Sequence, residues 1–160
     1  MRSLPIKSYD LVLLRKTMPI ICIIVPWEFY FYSTGWGIKF SFFYANFDII
    51  YGTLFVNVVK QLSMLSYGGL APSFRTISWF LGALICVVVS INEFFREDLL
   101  KTLSLRTSGY LFILCSIFNL LGSFVVWSNS FRTIPVVFLF FLFAAYIYFY
   151  NSQRSISNKH

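Results

Sequence analysis

The sequence predicts an all-α integral membrane protein, in which four transmembrane helices form a bundle and one amphipathic helix lies at the membrane surface. Two observations on composition support this fold class. Only 12% of the 160 residues are charged while 58% are hydrophobic, whereas a water-soluble domain carries about 25% charged residues. Aromatic residues reach 21%, which suits contact with lipid tails and headgroups.

A third observation is that four apolar runs have the length of a membrane span. We predict spans over residues 17–34, 76–95, 108–127 and 133–150 of a single membrane domain, 1–160. Runs of about 18 to 20 residues cover about 27 to 30 Å as helices, enough to cross the hydrocarbon layer. Because backbone groups cannot stay unpaired there, each run is expected to be helical.

The first span contains two prolines and ends in a glycine-containing turn. Pro19 falls in the first turn, where its missing N–H costs nothing, whereas Pro26 is expected to kink the helix. The sequence Gly35-Trp36-Gly37 follows the span.

Residues 46–65 form the predicted amphipathic segment. Apolar residues recur there at helical spacing, with polar residues on the opposite face. Whether this segment is interfacial, re-entrant or spanning stays open at the level of sequence. The apolar positions are Phe47, Ile50, Tyr51, Leu54, Phe55, Val58, Leu62 and Leu65, and the polar ones are Asn46, Thr53, Asn57, Lys60 and Ser63.

The distribution of basic residues predicts a multi-pass protein of the cell membrane with both termini in the cytoplasm. With an even number of spans and the N-terminus inside, nine basic residues lie in cytoplasmic segments and four outside. The four outer ones are Lys39, Lys60, Arg75 and Arg132. The net charge of +7 is scattered beside apolar runs, so we expect contacts with anionic membrane lipids and none with nucleic acid.

The string Ser-Phe-Arg-Thr-Ile occurs twice, at residues 73–77 and 130–134. Both copies stand at the start of a predicted span, so they are either the trace of a structural repeat of helical hairpins or a coincidence. In either case Arg75 and Arg132 are placed beside helix N-termini. They could hold a lipid phosphate or another anion there, or they could simply anchor their helices at the headgroup level.

Glu28 is the most informative side chain for function. Its predicted depth, about 16 Å into the first span, is one where charges usually face other protein or a water-filled cavity. It could form an intramembrane polar site with Asn119 of the third span. It could equally be a protonated acid or one that is paired with a lysine or arginine.

Residues able to perform catalysis are not found. The only histidine is His160, at the end of a polar tail, and nucleotide-binding, hydrolase and metalloprotease motifs are absent. The isolated residues Cys22, Cys86 and Cys115 suit small apolar positions in helices. We therefore predict no catalytic residue, no metal and no cofactor.

Several short motifs follow one another along the chain, namely Val25-Pro26-Trp27, Trp36-Gly37, the stretch 72–79, Glu97-Asp98 and Thr133-Ile134-Pro135. Their order resembles an uncharacterised family of small four-span membrane proteins found chiefly in archaea. The resemblance covers most of the chain and implies topology alone.

Three functions are compatible with these features. The first is a non-catalytic accessory or scaffold subunit, bound to a larger membrane complex or to copies of itself. The second is a small oligomeric transporter or channel that uses Glu28 and Asn119, and the third is a membrane enzyme that binds a lipid phosphate through Arg75 and Arg132. The scarcity of intramembrane ionisable groups favours the first.

Overall fold

The computed structural model describes residues 8–67, 69–95 and 103–157. Five α-helices and five β-strands follow one another in these residues, with a 3₁₀ turn at Leu65–Tyr67. The helices are α1 (Ser8–Ile24), α2 (Val58–Ser63), α3 (Leu70–Phe94), α4 (Leu105–Val125) and α5 (Val137–Ser157). The strands are β1 (Glu28–Tyr32), β2 (Gly35–Lys39), β3 (Phe43–Asp48), β4 (Gly52–Asn57) and β5 (Phe131–Pro135).

The five strands form one antiparallel sheet in the order β4-β3-β2-β1-β5. The first four are a meander of neighbours in sequence, whereas β5 enters from the connection between α4 and α5 and pairs with β1. Segments far apart in the chain are thereby joined at one edge of the sheet. Because side chains alternate along a strand, the sheet has an inner face toward the helices and an outer face away from them.

The four long helices pack as a ring in which α1 contacts α3 and α5, and α4 contacts α3 and α5. The sheet lies at one end of this ring, where α1 and α4 finish and α3 and α5 begin. The core between the helices is apolar and fully buried, with Cys22, Cys86, Val89, Phe112, Phe141 and Tyr148 among its members.

Trp27 joins the sheet to the helical core. Its indole N–H donates to the Cys22 carbonyl over 2.8 Å, and its ring meets Phe141 edge-on at 5.3 Å between centroids. The same ring lies against Gly82 of α3, where a Cβ atom would come within 2.9 Å of it. Gly82 is therefore required by the close approach of an aromatic ring.

The predicted all-α fold class is wrong, because the structure contains a five-stranded sheet as well as helices. Period-two alternation is visible in strands only when one face is polar. The inner face does carry polar side chains, such as Glu28, Lys39 and Asn46. Each strand nevertheless adjoins further apolar residues in sequence, so the strands read as parts of longer apolar runs.

Two of the predicted spans contain a strand. The helix of the first span ends at Ile24, two residues before Pro26, and Glu28 begins β1 instead of lying deep in a helix. The fourth span, 133–150, starts within β5 and becomes helical only at Val137. In both places an apolar helix is continuous in sequence with an apolar strand, so composition alone gives no boundary.

The predicted amphipathic helix 46–65 is also wrong for most of its length. Residues 46–57 belong to β3, β4 and the turn between them, and only Val58–Ser63 is helical. The carboxylate of Asp48 makes this turn by accepting the N–H groups of Ile50 and Tyr51. Gly52 then takes a positive φ of 76°.

Two helices in the described part of the chain are long and apolar enough to cross a membrane, Leu70–Phe94 and Leu105–Val125. The prediction of such helices is confirmed to this extent, but the predicted bundle of four spans is not. The charge count that placed both termini in the cytoplasm depended on four spans and no longer applies. Glu97 and Asp98, which entered the family resemblance, and His160 lie outside the described residues.

The two Ser-Phe-Arg-Thr-Ile strings adopt different structures. Residues 73–77 lie in α3, whereas 131–134 lie in β5. Identical pentapeptides in helix and strand do not form a structural repeat.

Candidate functional site

Three charged side chains meet where the sheet joins the helices. Glu28 of β1 places Oε2 2.8 Å from Lys39 Nζ of β2 and 2.9 Å from Arg75 Nη2 of α3. The carboxylate is almost wholly buried, and both cations are largely so. One buried carboxylate is therefore shared by two cations, which leaves the cluster with an excess positive charge.

The excess positive charge keeps the Glu28 carboxylate ionised and makes the Lys39 ammonium easier to deprotonate, so the pKa values of both groups are lowered. Burial raises the pKa of the Glu28 carboxyl, but the charges and hydrogen bonds of Lys39 and Arg75 outweigh burial and hold that pKa below its ordinary 4.5. Burial and the neighbouring Arg75 lower the pKa of Lys39 from 10.5 to about 8, against the opposing effect of Glu28. One carboxylate is not enough to balance both cations.

A cavity of about 210 Å³ lies beside this cluster, on the inner face of the sheet. It is bounded by the sheet, by α2 and by the first turns of α3. The lining residues are Tyr30, Lys39, Tyr44, Asn46, Gln61, Pro72, Arg75, Thr76, Trp79 and Phe131. Aromatic rings flank both cations, because Arg75 lies 5.3 Å from the Tyr30 ring centroid and 5.0 Å from that of Phe131, and Lys39 lies 5.3 Å from that of Trp79.

Tyr30 reaches the cavity because Gly37 lets it cross β2. A Cβ atom at Gly37 would stand 2.2 Å from Cζ of the Tyr30 ring. After this crossing, the Tyr30 hydroxyl donates to the side-chain oxygen of Asn46 on β3. On the far side of the cavity, Tyr44 donates to Gln61 Oε1 over 3.0 Å. Both side-chain amides are thus engaged through their oxygens.

The structure brings Glu28 and Asn119 together, as predicted from sequence, but in a different setting. Both line a second void of only about 10 Å³ between the sheet, α3 and α4, which is close to the smallest space that holds one water molecule. Within the described residues, neither Glu28 Oε1 nor Asn119 Oδ1 has a hydrogen-bond partner. Transport through these two residues stays a prediction.

Arg75 and Arg132 are not brought together. Arg132 lies on β5 opposite Phe31, and its side chain is exposed on the outer face of the sheet. Its neighbour Phe131 is the residue that faces Arg75. A single anion cannot be held between these two arginines, because the sheet separates them.

Most residues that line the cavity are not predicted as site residues from the sequence. Lys39 counts there as a basic residue of an outer segment, and Asn46 and Gln61 belong to the predicted amphipathic helix. A usable signal was present in Glu28-Phe29-Tyr30-Phe31-Tyr32, where the polar-tipped side chains alternate with phenylalanine as they do in a strand.

The outer face of the sheet is mostly apolar, and much of it is exposed. Phe55 and Ile134 are 67% and 55% exposed, and Trp36 stacks on Phe47 at 4.5 Å. Monomeric soluble proteins rarely expose apolar patches of this kind unless they bind something. The strand register places Phe29, Phe31, Trp36, Ile38, Phe43, Ala45, Phe47, Thr53, Phe55, Asn57, Arg132 and Ile134 on this face.

A second buried ion pair lies at the opposite end of the helices. Arg15 Nε of α1 donates to Glu93 Oε2 of α3 over 2.8 Å, and the Glu93 side chain is fully buried. Together with Arg75, this pair places one charged residue of α3 near each end of that helix.

No group of three or more histidine, cysteine, aspartate or glutamate residues that could hold a metal ion occurs in 8–67, 69–95 and 103–157. No protein-family model, curated protein or solved structure matches this chain.

Proposed function

We propose that this chain is a non-catalytic membrane protein that acts as an accessory or scaffold subunit, with the outer face of its sheet as the surface for a protein partner. The observation that carries the proposal is that outer face. It extends across five strands, is mostly aromatic and aliphatic, and has Arg132 as its one charged position. Aromatic residues and arginine are the types enriched in protein interfaces.

Placement in a membrane is supported by exposed apolar stripes on the candidate spans. Only 39% of the apolar window of α3 and 44% of that of α4 is buried, whereas the core helix of a soluble protein is mostly buried. The exposed residues follow helical spacing, so each helix presents a continuous apolar stripe. They are Ile77, Phe80, Leu81, Leu84, Val88 and Ile91 on α3, and Leu114, Ile117, Leu121 and Phe124 on α4.

The positions of the charges on α3 support the same placement. No charged residue occurs between Arg75 and Glu93. At a rise of about 1.5 Å per residue these two residues are about 27 Å apart, close to the thickness of the hydrocarbon layer. Both have oppositely charged partners, which suits the ends of a membrane-embedded helix.

Site-specific photo-crosslinking in the native membrane tests the partner. We expect a photoreactive residue at Trp36 to crosslink the chain in stoichiometric yield to one larger membrane protein. Phe55→Asp, which places a charge on the same face, should abolish that crosslink. Tyr67→Asp, at a position 88% exposed and outside the sheet, is the control and should not.

Other crosslinking results would contradict the proposal. Crosslinks from Trp36 to a second copy of the chain would make this face a homo-oligomer interface instead of a subunit contact. Crosslinks only to lipid would make it a membrane-contacting face.

A further inference from the structure

We infer that the cavity between the inner face of the sheet and α3 is a binding site for a phosphate-type anion, either free or as the headgroup of a membrane lipid. This inference goes beyond the proposed partner surface, because it concerns the opposite face of the sheet and a small ligand.

The side chains at the cavity carry an unbalanced positive charge. The cavity wall contains Lys39 and Arg75, and the carboxylate beside them, Glu28, contacts both. The three side chains together carry one net positive charge. Buried charge is expensive when it is unbalanced, so the cavity favours a ligand that supplies a negative charge.

Arg75 is the second cation in the wall of the cavity. Its Nη2 is 2.9 Å from Glu28 Oε2, the distance of an ion pair with that carboxylate. Its Nε–H group has no acceptor among the described residues. The guanidinium lies beside the stacked rings of Tyr30 and Phe131, at 5.3 and 5.0 Å from their centroids, and both rings line the cavity. A planar guanidinium in the wall of a cavity suits the oxygens of a phosphate group.

The polar rim of the cavity includes hydrogen-bond donors as well as the two cations. The side-chain oxygen of Asn46 accepts from Tyr30, and that of Gln61 accepts from Tyr44, so each amide retains its NH₂ group for another partner. The indole N–H of Trp79 is already used by the Phe40 carbonyl at 2.7 Å. Two cations and two amide NH₂ groups therefore surround the space, which selects an acceptor-rich ligand.

The cavity also has a size and a position that suit a phosphate group. At about 210 Å³ the cavity has about seven times the volume that one water molecule occupies in the liquid. That is room for a phosphate group with part of its substituent. Arg75 lies in the second turn of α3, so in a membrane the cavity would stand at headgroup level.

Native mass spectrometry and calorimetry on the full chain in detergent test the inference with two probes. Inorganic phosphate tests the free anion, and dioctanoyl phosphatidylglycerol tests the headgroup, with dioctanoyl phosphatidylcholine as the zwitterionic comparison. We expect one or both anionic probes to bind saturably with one molecule per chain, and phosphatidylcholine to bind at least about tenfold more weakly. Preference for one anionic probe identifies the source of the phosphate.

Variants separate this site from general attraction of a basic protein. Arg75→Gln should weaken binding by about tenfold to a hundredfold, the loss of a charged hydrogen-bonding partner. Arg132→Gln removes the same charge from an identical pentapeptide on the other face of the sheet and is the matched control; it should leave affinity unchanged. Gln61→Phe places a bulkier side chain in the cavity wall at a residue outside the ion cluster, so it should weaken binding at least about tenfold even if Arg75→Gln fails to fold.

The inference is overturned if neither anionic probe binds the wild-type chain. It is equally overturned if Gln61→Phe binds as the wild type does, or if Arg132→Gln weakens binding as much as Arg75→Gln.

Discussion

Glu28 and Lys39 are direct cross-strand partners in the β1–β2 pair, and their side chains close a 2.8 Å ion pair on the inner face of the sheet. The register of two neighbouring strands therefore fixes the position of the carboxylate. Arg75 then reaches the same oxygen from α3, so the cluster ties the sheet to the helices.

Replacement of the shared carboxylate should destabilise the fold. Glu28→Gln leaves two largely buried cations without a counter-charge, and the loss of one partner of a buried ion pair costs about 3–5 kcal/mol. We expect a loss of this order in the free energy of unfolding, measured in detergent by denaturant titration and tryptophan fluorescence. Lys60→Gln, at an exposed position, should change it by less than about 0.5 kcal/mol. Equal stability of the two variants would contradict the role of the cluster.

The contribution of Glu28 to the free energy of unfolding should be lost at low pH. Its pKa is lower in the folded chain than its ordinary 4.5, so the folded state binds this proton more weakly than the unfolded state does. The stabilisation is therefore complete above pH 4.5 and is lost as the pH falls through the folded pKa. We expect the difference in unfolding free energy between the wild type and Glu28→Gln to shrink as the pH is lowered from about 6 to about 3. Asp48, whose pKa the Thr34 hydrogen bond lowers, is common to both proteins and cancels. If the difference in unfolding free energy between the two proteins stayed constant over this pH range, Glu28 would not be the ionised partner of Lys39 and Arg75.

Anion binding should weaken in alkali as Lys39 loses its proton. With a pKa near 8 in the unliganded site, this ammonium is fully charged below about pH 7. Burial raises the pKa values of Tyr30 and Tyr44, so among the described residues the charges that face Lys39 at this pH are those of Glu28 and Arg75.

Dimethyl phosphate keeps one charge over this range and is the suitable probe. Its affinity, measured by calorimetry, should be constant below pH 7 and fall by up to about tenfold per pH unit above pH 8. The bound anion should also raise the pKa of Lys39, so that binding near pH 8 takes up a proton. An affinity independent of pH up to 9 would mean that Lys39 does not contact the anion.

Two helical glycines should respond oppositely to the same substitution. Gly82→Ala places a Cβ atom 2.9 Å from the buried ring of Trp27, so overpacking should cost about 1–3 kcal/mol. Gly122→Ala places its Cβ atom 3.4 Å from Cβ of Ser78, an ordinary contact, and should gain up to about 1 kcal/mol from helix propensity. Thermal unfolding in the same detergent measures both. Equal effects in the two variants would mean that Trp27 does not lie against α3 as described.

The membrane placement of α3 can be tested with two leucines of that helix. Leu84 is near the middle and 47% exposed, whereas Leu70 is the first residue and 93% exposed. A lysine at the centre of a membrane helix costs about 2.5–3.5 kcal/mol on insertion scales and much less at its end. We expect Leu84→Lys to reduce the fraction of chain that resists alkaline extraction from membranes, and Leu70→Lys to leave it unchanged. A Leu84→Lys chain that inserts as the wild type does would contradict membrane burial of this face.

The sequence allows two of the long helices to be predicted, because long uncharged apolar runs with small residues have no other stable form in a dry environment. It does not show where the strands begin and end, since the apolar residues of the outer face run on into neighbouring apolar segments of the sequence. Glu28 and Asn119, predicted as an intramembrane polar pair, line a common void, but Glu28 begins a strand and does not lie deep in a helix, because α1 ends at Ile24. Lys39 could not be recognised as a partner, because its position depends on strand register.

The two Ser-Phe-Arg-Thr-Ile strings separate what sequence determined from what tertiary structure decided. Composition by itself determined that the chain is mostly apolar and that its arginines stand beside apolar runs. The same five residues become a turn of α3 in one place and most of β5 in the other. In the first copy Pro72 stands in the opening turn of a helix, where proline is tolerated, and in the second β1 supplies the backbone partners that a strand needs. Local propensities are too weak to distinguish these outcomes. Pairing with distant segments therefore directs Arg75 into the ion cluster and Arg132 to the outer surface.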